Sequence, residues 1–415
     1  MALLACTRHG RAAFAFIFVT VLLDMLAIGI VTPILPRLLI QFEHGNVSNA
    51  AAAAGAFAFI WAAMQFLFSP LIGALSDRVG RRPVVLLSNF GLGFDYLLMA
   101  VAPTLNWLFV GRLLSGITAA SLPTATAYIA DITPENERAA KFGMLGAAFG
   151  LGFIIGPALG GLLGNIDVRY PFWAAAGLSL ANGAYGFLVL PESLRREHRS
   201  SFSLSKANPL ASLRLLRSHP ELLGLAIAAF FYYIAHQSLP SLFPIYTFYR
   251  YQWSEGLTGL VLAGVGVGST VVSAALVGVA TKRFGELLTF YAGLFFGVVA
   301  LSLFAAATTS GVVIAGCVFI ALFQMTGPAL QGLMSRQVDQ SEQGKLQGAI
   351  SSIFGIAGMI GPALFNKTFA LVIVSGSLQV IGAPFWLAAA FLIVSAAVTR
   401  HVTRVPATSS VLATT

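Results

Sequence analysis

The feature that most constrains this chain is a series of apolar stretches, each about 20 residues long and nearly free of charge. A helix of about 20 residues crosses the hydrocarbon core of a bilayer, whereas a barrel strand needs only about ten residues of alternating pattern. Only 9% of the 415 residues are charged, against about 25% in soluble proteins, so lipid must cover much of the surface. The sequence therefore predicts an all-α integral membrane protein. Its twelve predicted spans are 13–36, 50–74, 84–103, 107–129, 142–164, 171–190, 222–247, 257–280, 288–307, 311–334, 346–370 and 380–399.

The first stretch has the charge pattern of a secretory signal peptide, because Arg8 and Arg11 precede it. However, Asp24 interrupts the stretch, the apolar run continues to Leu35, and no small-residue cleavage site follows promptly. We therefore expect it to remain in the protein as span one.

Lysine and arginine are distributed unevenly among the predicted loops. If the N-terminus is cytoplasmic, 19 of the 24 lie on the inner side, four lie on the outer side, and Arg112 lies within a span. This bias is the positive-inside signal. The net charge of +9 therefore reflects the orientation of the chain in the membrane and does not indicate binding to nucleic acid. We expect a multi-pass protein of the cell membrane (the inner membrane in a bacterium) with both termini in the cytoplasm.

Two halves of the chain repeat each other at one constant offset, which aligns residue 73 with residue 278, 205 positions later. The segment GALSDRVGRRP at 73–83 has a weaker copy, GVATKRFGE, at 278–286. The tetrapeptide GPAL occurs at both 156–159 and 361–364. Because six spans per half is an even number, both halves enter the membrane in the same direction. Parallel repeats of this kind hold substrate near the midplane in one large transporter class.

The repeat predicts the domain organisation. An N-terminal six-helix bundle is expected at 1–190 and a C-terminal six-helix bundle at 221–400, related by a pseudo-twofold axis along the membrane normal. A charged segment bounded by prolines at 191–220 is expected to form a cytoplasmic linker, and 401–415 a cytoplasmic tail.

Several stretches resemble known transporters. GALSDRVGRRP resembles the loop motif of the major facilitator superfamily, and GFIIGPALGG at 152–161 resembles the span-five motif of its drug/proton antiporter branch. LLDMLAIGIVTPILP at 22–36, FDYLLMA at 94–100 and GRLLSGITAA at 111–120 look like the tetracycline-resistance antiporter family. The resemblance implies export of a small amphipathic organic compound in exchange for protons, by alternating access and without a cofactor or metal.

The loop motif is expected to act as a cytoplasmic latch. In the resembling family, the carboxylate equivalent to Asp77 caps a helix of the opposite half in the outward-facing state. The arginines of the motif pair with an acid at the inner end of span four, and Asp131 stands at that position here. Glycines are expected to bracket a tight turn. The alternative is a basic loop that only anchors the chain to the membrane. The predicted latch residues are Gly73, Asp77, Arg78, Gly80, Arg81, Arg82 and Asp131.

Three ionisable residues other than histidine lie well within predicted spans, namely Asp24, Asp95 and Arg112. A charge at the bilayer centre costs about 2.5–3.5 kcal/mol on insertion scales, so each needs a partner, water or a proton. The depths of Asp95 and Arg112 differ by roughly 5 Å, so the two can pair. We expect Asp24 or Asp95 to respond to protons or substrate, with Arg112 controlling that response. The alternatives are a static Asp95–Arg112 pair and an inert Asp24 that only packs between helices.

Polar residues within other spans are candidates for lining a cavity. For His236, both titration near neutral pH and a static hydrogen-bonded role are open. The candidate lining residues are Gln65, Asn89, Tyr232, His236, Gln237, Gln324 and Gln331.

The glycine-rich fifth span is expected to pack closely and to bend beside the interface between the halves. Simple tight packing is the alternative. The predicted gate residues are Gly152, Gly156, Pro157, Gly160 and Gly161.

The second half departs from the tetracycline-resistance family. That family has an additional acid in span nine, where this chain has Gly297 and no carboxylate, and a histidine in span eight, where Ser269 stands. The cargo is therefore open among drugs, metabolites and sugar-like solutes.

A proton-coupled symporter or uniporter and a non-transporting receptor or scaffold are the other functions left open. No nucleophile–base cluster or nucleotide-binding loop favours an enzyme, and the oligomeric state is open, with a monomer plausible.

Overall fold

The computed structural model describes residues 2–118, 121–194, 196–199, 211–218, 220–339, 342–376 and 380–404, and these contain helices and no strand. The α-helices are α1 (Ala2–Val31), α2 (Leu35–Phe42), α3 (Val47–Val79), α4 (Arg81–Val101), α5 (Leu105–Thr118), α6 (Ser121–Ile132), α7 (Glu135–Ile166), α8 (Tyr170–Val189), α9 (Leu215–Ser218), α10 (Pro220–His236), α11 (Ser238–Tyr251), α12 (Glu255–Val271), α13 (Val277–Ala306), α14 (Ser310–Phe323), α15 (Thr326–Ser335), α16 (Gln343–Val374) and α17 (Ala383–Arg404). Short 3₁₀ turns occur at Arg196–His198 and Ala211–Arg214, and a π-helical turn at Val272–Leu276 joins α12 to α13.

Several helix starts follow from local chemistry. The Asn46 side chain accepts a hydrogen bond of 3.0 Å from the Asn49 N–H and so caps α3. Proline lies in the first turn of α2 and of α8, where its missing N–H costs nothing.

Ten helical runs in the described part of the chain are long and apolar enough to cross a bilayer. The prediction of twelve spans differs from this count in two places. Predicted span four includes residues 119 and 120, which lie outside the described residues, so only its two flanking helices, α5 and α6, are described and neither alone has the length of a span. Predicted spans eight and nine lie within one run, Glu255–Ala306, in which Gly285 has non-helical dihedral angles.

Helix bounds repeat at the same offset as the sequence. Three pairs of bounds lie 205 positions apart: the starts of α5 and α14 (Leu105 and Ser310), the ends of α4 and α13 (Val101 and Ala306) and the ends of α1 and α10 (Val31 and His236). Gly80 and Gly285 obey the same offset, and their φ angles of 116° and 80° require glycine. The internal repeat is therefore also a repeat of helix lengths and turns.

The helices form two compact units that differ from the two sequence halves. The first unit contains Met1–Pro209 with Pro240–Val267 and Pro362–Ser375, and the second contains Leu210–Leu239, Gly268–Gly361 and Gly376–Thr415. The predicted boundary at 191–220 separates the two sequence repeats, and it stays a prediction because the compact units do not follow it. Much of that linker (201–210) and most of the predicted tail (405–415) lie outside the described residues.

Close packing holds each unit together. In the first unit, Ile17 and Val21 of α1 belong to one buried cluster with Tyr128 of α6 and Ala148 of α7. In the second unit, Gly297 of α13 receives the side chains of Phe323 and Leu392. Because lipid tails are as apolar as these side chains, the fit of small residues against large ones, rather than hydrophobic burial, stabilises such contacts.

Candidate functional site

Only one of the two glycines expected to bracket the charged loop, Gly80, forms a turn between α3 and α4. Gly80 has a φ of 116° and forms the turn. Gly73 lies inside α3, and a Cβ there would meet nothing within 4 Å. The prediction that Gly73 bounds the turn is therefore wrong, because the helix continues to Val79 and carries the acid and first arginine of the motif on its last turn.

Arg81 is the centre of the ion pairs in this loop. Its guanidinium lies 2.5 Å from Asp77 and 3.2 Å from Asp131, and it donates to the Ser76 hydroxyl at 2.6 Å. The predicted pairing of an arginine with Asp131 is confirmed. The cap that Asp77 is expected to form in another conformation stays a prediction.

The other two arginines of the motif make separate contacts. Arg82 donates to the Phe187 carbonyl at 2.6 Å. Arg78 is exposed on the last turn of α3. Arg81 is therefore the motif arginine that connects α3, α4 and α6.

Glu192 completes the loop and was missed by the sequence analysis. Its carboxylate accepts hydrogen bonds from the backbone N–H groups of Arg81 at 2.8 Å and Arg82 at 3.3 Å. A carboxylate at a helix N-terminus is favoured by the helix dipole. The next residue, Ser193, donates to Asp131 at 3.0 Å. The available signal was an acid placed directly after span six, on the same predicted side as the loop motif.

The second half carries a charge-reversed copy of the Arg81–Asp131 pair. The residues 205 positions later are Glu286 and Arg336. Their side chains meet at 2.8 Å between Glu286 Oε2 and Arg336 Nε. The weaker sequence copy therefore keeps an ion pair at the matching positions with acid and base exchanged.

Asp95 and Arg112 form the ion pair expected within the membrane. Asp95 Oδ2 lies 3.4 Å from Arg112 Nη2, and the Asp95 side chain has no exposed surface. Gly111 makes room for this carboxylate, because a Cβ there would lie 2.5 Å from Asp95 Oδ1. Arg112 also donates to the Met99 sulfur at 2.9 Å. The pairing is confirmed, and its part in coupling stays a prediction.

Asp24 is buried in α1 with 1% of its surface exposed. The buried Tyr96 follows Asp95 directly in α4 and lies within electrostatic range of Asp24 and Arg112. Tyr96 was missed by the sequence analysis. The signal was a tyrosine next to the acid in FDYLLMA.

Two predicted lining residues of the first half have different environments. Asn89 of α4 is fully buried, and neither its amide oxygen nor its nitrogen has a hydrogen-bond partner among the described residues. Gln65 of α3 is half-buried.

Three predicted lining residues of the second half, His236, Gln237 and Gln324, lie at or next to two helix breaks. Gln237 separates α10 from α11, and Gln324 follows the last residue of α14. The His236 ring packs beside the ring of Phe323, the residue that precedes Gln324, with centroids 6.1 Å apart. Gln331 lies elsewhere, because it is exposed on α15 and donates to Gln347 at 3.1 Å.

The glycines of the fifth-span motif bring α7 against α1. A Cβ at Gly152 would lie 2.6 Å from Met25 Cβ, and one at Gly156 would lie 2.7 Å from the Gly29 Cα. Gly160 packs in the same way against the Ile30 backbone. Real Cβ atoms do not approach so closely, so these contacts require glycine.

The opposite face of α7 packs on α12, which belongs to the same compact unit. Gly161 lies against the backbone of Glu255 and Gly256, and the Pro157 carbonyl lies against Gly259. The Asn165 side chain accepts a hydrogen bond of 3.1 Å from the Gly256 N–H. The motif therefore joins α1 to a helix of the second half.

An ion pair missed by the sequence analysis lies beside this contact. Arg37 of α2 pairs with Glu255, the first residue of α12, and Glu255 is 5% exposed. The signal was the presence of opposite charges at the predicted outer ends of spans one and eight.

Gly297 and Ser269, the two positions at which the chain departs from the resembling family, are both in buried surroundings. A Cβ at Gly297 would lie 2.5 Å from the Phe323 ring and 2.7 Å from Leu392, so a carboxylate has no space there. The Ser269 hydroxyl is buried and has no hydrogen-bond partner within the described ranges.

Comparison with known proteins places the chain among membrane transporters. A profile of the Major Facilitator Superfamily matches residues 17–362. The chain is 38% identical to the class C tetracycline resistance protein of Escherichia coli, over 86% of this chain and 90% of that protein. It is 35% identical to the class D protein of Salmonella ordonez, over 85% of this chain and 88% of that one.

Solved structures share the fold. A mutant form of the nucleoside transporter NupG superposes with a TM-score of 0.79 at 12% identity, covering 94% of this chain and 99% of that one. The human organic anion transporter MFSD10 superposes with a TM-score of 0.67 at 22% identity, with the same coverage.

Proposed function

Because this chain belongs to the Major Facilitator Superfamily, we propose that it exports a small amphipathic organic compound in exchange for protons, by alternating access. The chain is a multi-pass membrane transporter and not an enzyme. Export as the direction of transport, protons as the coupling ion and alternating access as the conformational cycle are what we propose.

The buried Asp95–Arg112 pair is the observation that carries the proposal. Its carboxylate has no exposed surface and lies 3.4 Å from the guanidinium. Binding a proton removes the negative charge of Asp95 and with it the attraction to Arg112. The six predicted spans of the second half contain no Asp or Glu. We therefore assign proton binding to the first half, at Asp95 or Asp24.

The conformational cycle requires contacts that form and break. At the predicted outer end, α7 packs on α12 and Arg37 pairs with Glu255. Opening that end must separate these contacts, and in the proposed cycle Asp77 caps a helix of the opposite half when the outer end is open. The proton gradient supplies the driving force, since 100 mV is worth about 2.3 kcal/mol per charge moved.

The proposed topology has twelve spans in two bundles related by a pseudo-twofold axis, with both termini in the cytoplasm. The repeat of helix bounds at an offset of 205, as between Leu105 and Ser310, supports two equivalent halves. The excess of lysine and arginine on one side supports the orientation.

Tetracyclines are the first cargo to test, because the relatives at 34–38% identity carry that drug in their names. Uncharged amides and aromatic rings within the predicted spans are compatible with an amphipathic drug.

The proposal is tested in proteoliposomes that contain the purified full-length chain. With an imposed pH gradient, we expect labelled tetracycline to move against its own gradient, and a protonophore to stop that movement. Movement in the same direction as the protons would indicate a symporter, and flux independent of the gradient a uniporter. An absence of flux for tetracycline and for a panel of other amphipathic compounds would favour a receptor or scaffold.

A further inference from the structure

Four helices of the first half each carry a buried polar side chain. We call these residues the polar layer: Thr20 of α1, Asn89 of α4, Thr124 of α6 and Asn182 of α8, each at most 2% exposed. The Thr20 hydroxyl donates to the Asn182 amide oxygen at 3.2 Å. The Asn182 nitrogen, the Thr124 hydroxyl and both polar atoms of the Asn89 amide have no hydrogen-bond partner among the described residues. Because an unpartnered buried amide or hydroxyl is costly, these atoms point to a ligand that both donates and accepts hydrogen bonds.

The four helices converge beside the polar layer. One turn towards the predicted cytoplasmic end, they contribute a buried apolar layer that consists of Phe16, Val85, Tyr128 and Gly186. Each of these residues lies four positions from the member of the polar layer on its own helix, and residues four apart share one helix face. Phe16, Val85 and Tyr128 belong to one buried cluster, and a Cβ at Gly186 would lie 2.7 Å from Phe16 Cζ. The polar layer therefore faces the same interior space.

The two buried acids lie on the other side of the polar layer. Asp24 follows Thr20 by four residues in α1, and Asp95 follows Asn89 by six in α4, which is about 6 Å and 9 Å along the helices. On the same side, Ser179 of α8 is 1% exposed, and its hydroxyl has no hydrogen-bond partner within the described ranges. The polar layer therefore separates the acids from the apolar layer.

The second half has apolar residues where the first half has this polar interior. Positions 205 residues after the members of the polar layer on α1, α4 and α6 are Leu225, Leu294 and Ala329, and those after the two acids are Ala229 and Ala300. All five are at most 3% exposed. The repeated helices therefore pack with apolar side chains at these positions, so the polar layer is not a requirement of the fold.

We propose that the polar layer, with Ser179, binds a cluster of ordered water molecules that exchanges protons with Asp24 and Asp95. Water both donates and accepts, so it satisfies buried amides and hydroxyls that do not reach one another. Each transfer breaks one O–H bond and forms another, so a carboxyl group passes its proton to water and no other reactant is consumed. The apolar layer closes the predicted cytoplasmic side of the site. The water site stands by itself, whereas its exchange of protons rests on the proposed function.

Radiolytic labelling of the purified full-length protein in detergent tests the water site. Hydroxyl radicals generated by an X-ray pulse form from bound as well as bulk water, so they modify buried side chains that adjoin bound water. Phe16 and Tyr96 lie on either side of the polar layer, and each is 2% exposed. After correction for intrinsic reactivity, we expect both to be labelled at least fivefold faster than Phe304, a fully buried ring of the second half. Asn89→Leu introduces the residue type of position 294 and is expected to remove the difference.

Transport by the same variants tests the exchange of protons. We expect Asn89→Leu to lower proton-driven tetracycline flux at least tenfold without weakening tetracycline binding, and Asn89→Ser, which keeps a polar group, to retain most of the flux. Thr399→Val is the matched control for Thr124→Val, because Thr399 is equally buried but donates to the Ser395 carbonyl of its own helix at 2.9 Å. Thermal unfolding checks that each variant is folded, and Thr124→Val carries the test if Asn89→Leu does not fold.

The outcomes separate the water site from the proposed function. Labelling of Phe16 and Tyr96 no faster than that of Phe304, or labelling unchanged in both Asn89→Leu and Thr124→Val, would overturn the water site. Labelling that is lost in these variants while their proton-driven flux stays normal would overturn the exchange of protons alone. Fast labelling of the wild type that is lost in Asn89→Leu supports the water site even if the wild type shows no proton-driven flux.

Discussion

Glu286 pairs with Arg336 at 2.8 Å, 205 residues after the positions where the first half pairs Arg81 with Asp131. The ion pair is therefore kept in both halves while its charges are exchanged. A pair retained with reversed charge indicates that the attraction itself matters at this position, whichever helix carries the acid.

We expect Glu286→Arg to slow transport several-fold, because it places two arginines side by side. The double variant Glu286→Arg/Arg336→Asp recreates the charge order of the first half and is expected to recover transport. The pair is partly exposed, so protein yield and thermal stability are expected to change little. Initial rates of tetracycline flux measure the effect, and Lys282→Ala is the control. Equal impairment in the single and double variants would show that charge pairing is not the reason for the contact.

The Arg81 cluster gives a second prediction. Arg81→Ala removes contacts with both Asp77 and Asp131, and we expect transport to fall at least tenfold with normal membrane insertion. Arg81→Lys keeps the charge but cannot fork two bonds, so an intermediate rate is expected. Flux is compared at equal protein density in proteoliposomes. A normal rate in Arg81→Ala would leave the loop with only an anchoring role.

The Arg37–Glu255 pair, in which Glu255 is buried and Arg37 is exposed, gives a third prediction about closure of the predicted outer end. Removing Arg37 leaves the Glu255 charge, which is 5% exposed, without its counterpart, which is more damaging than removing both charges. We therefore expect Arg37→Gln to impair transport more than Arg37→Gln/Glu255→Gln. The charge exchange Arg37→Glu/Glu255→Arg is expected to recover part of the rate. Alkylation of a cysteine introduced at Thr258 reports opening at this end, and unaltered labelling in Arg37→Gln would contradict a closing role.

The glycines of α7 give a fourth prediction with a control in the same helix. Gly156→Ala forces a Cβ into the backbone of α1, where the Gly29 Cα lies 2.7 Å away. A Cβ at Gly146 meets nothing within 4 Å. We expect Gly156→Ala to lower both thermal stability and transport, and Gly146→Ala to be neutral or stabilising by about 0.5–1 kcal/mol through helix propensity. Thermal unfolding in detergent together with flux measures this, and equal behaviour of the two variants would contradict the packing described for α7.

Much of the fold was predictable because it follows from composition and repetition. The apolar lengths gave the helices, and the constant offset anticipated that Gly80 and Gly285 form equivalent turns. The sequence could not show that α3 continues through Gly73, since glycine is compatible with both a helix and a turn. It also could not show the breaks at Gln237 and after Phe323, because both lie inside continuous apolar runs.

The part of the candidate site that lies within the membrane spans was predictable, because charged residues are rare there. In a chain with few buried charges, Asp95 and Arg112 stood out, and depth along the helices was enough to pair them. Contacts between distant segments were not predictable in the same way. Glu192 and Glu255 lie at helix ends, where acids are common, and only the three-dimensional arrangement brings them to Arg81 and Arg37.

The central claim is that protonation in the first half drives export, and the most direct test is simultaneous measurement of tetracycline and proton movement in proteoliposomes. We expect the wild type to exchange the two, and Asp95→Asn to lose gradient-driven flux while still binding tetracycline. Asp95→Asn/Arg112→Gln removes both charges and so avoids leaving a buried arginine unpaired, and it is expected to fold and bind but not to couple. Undiminished proton-coupled flux in Asp95→Asn and in Asp24→Asn would contradict the account.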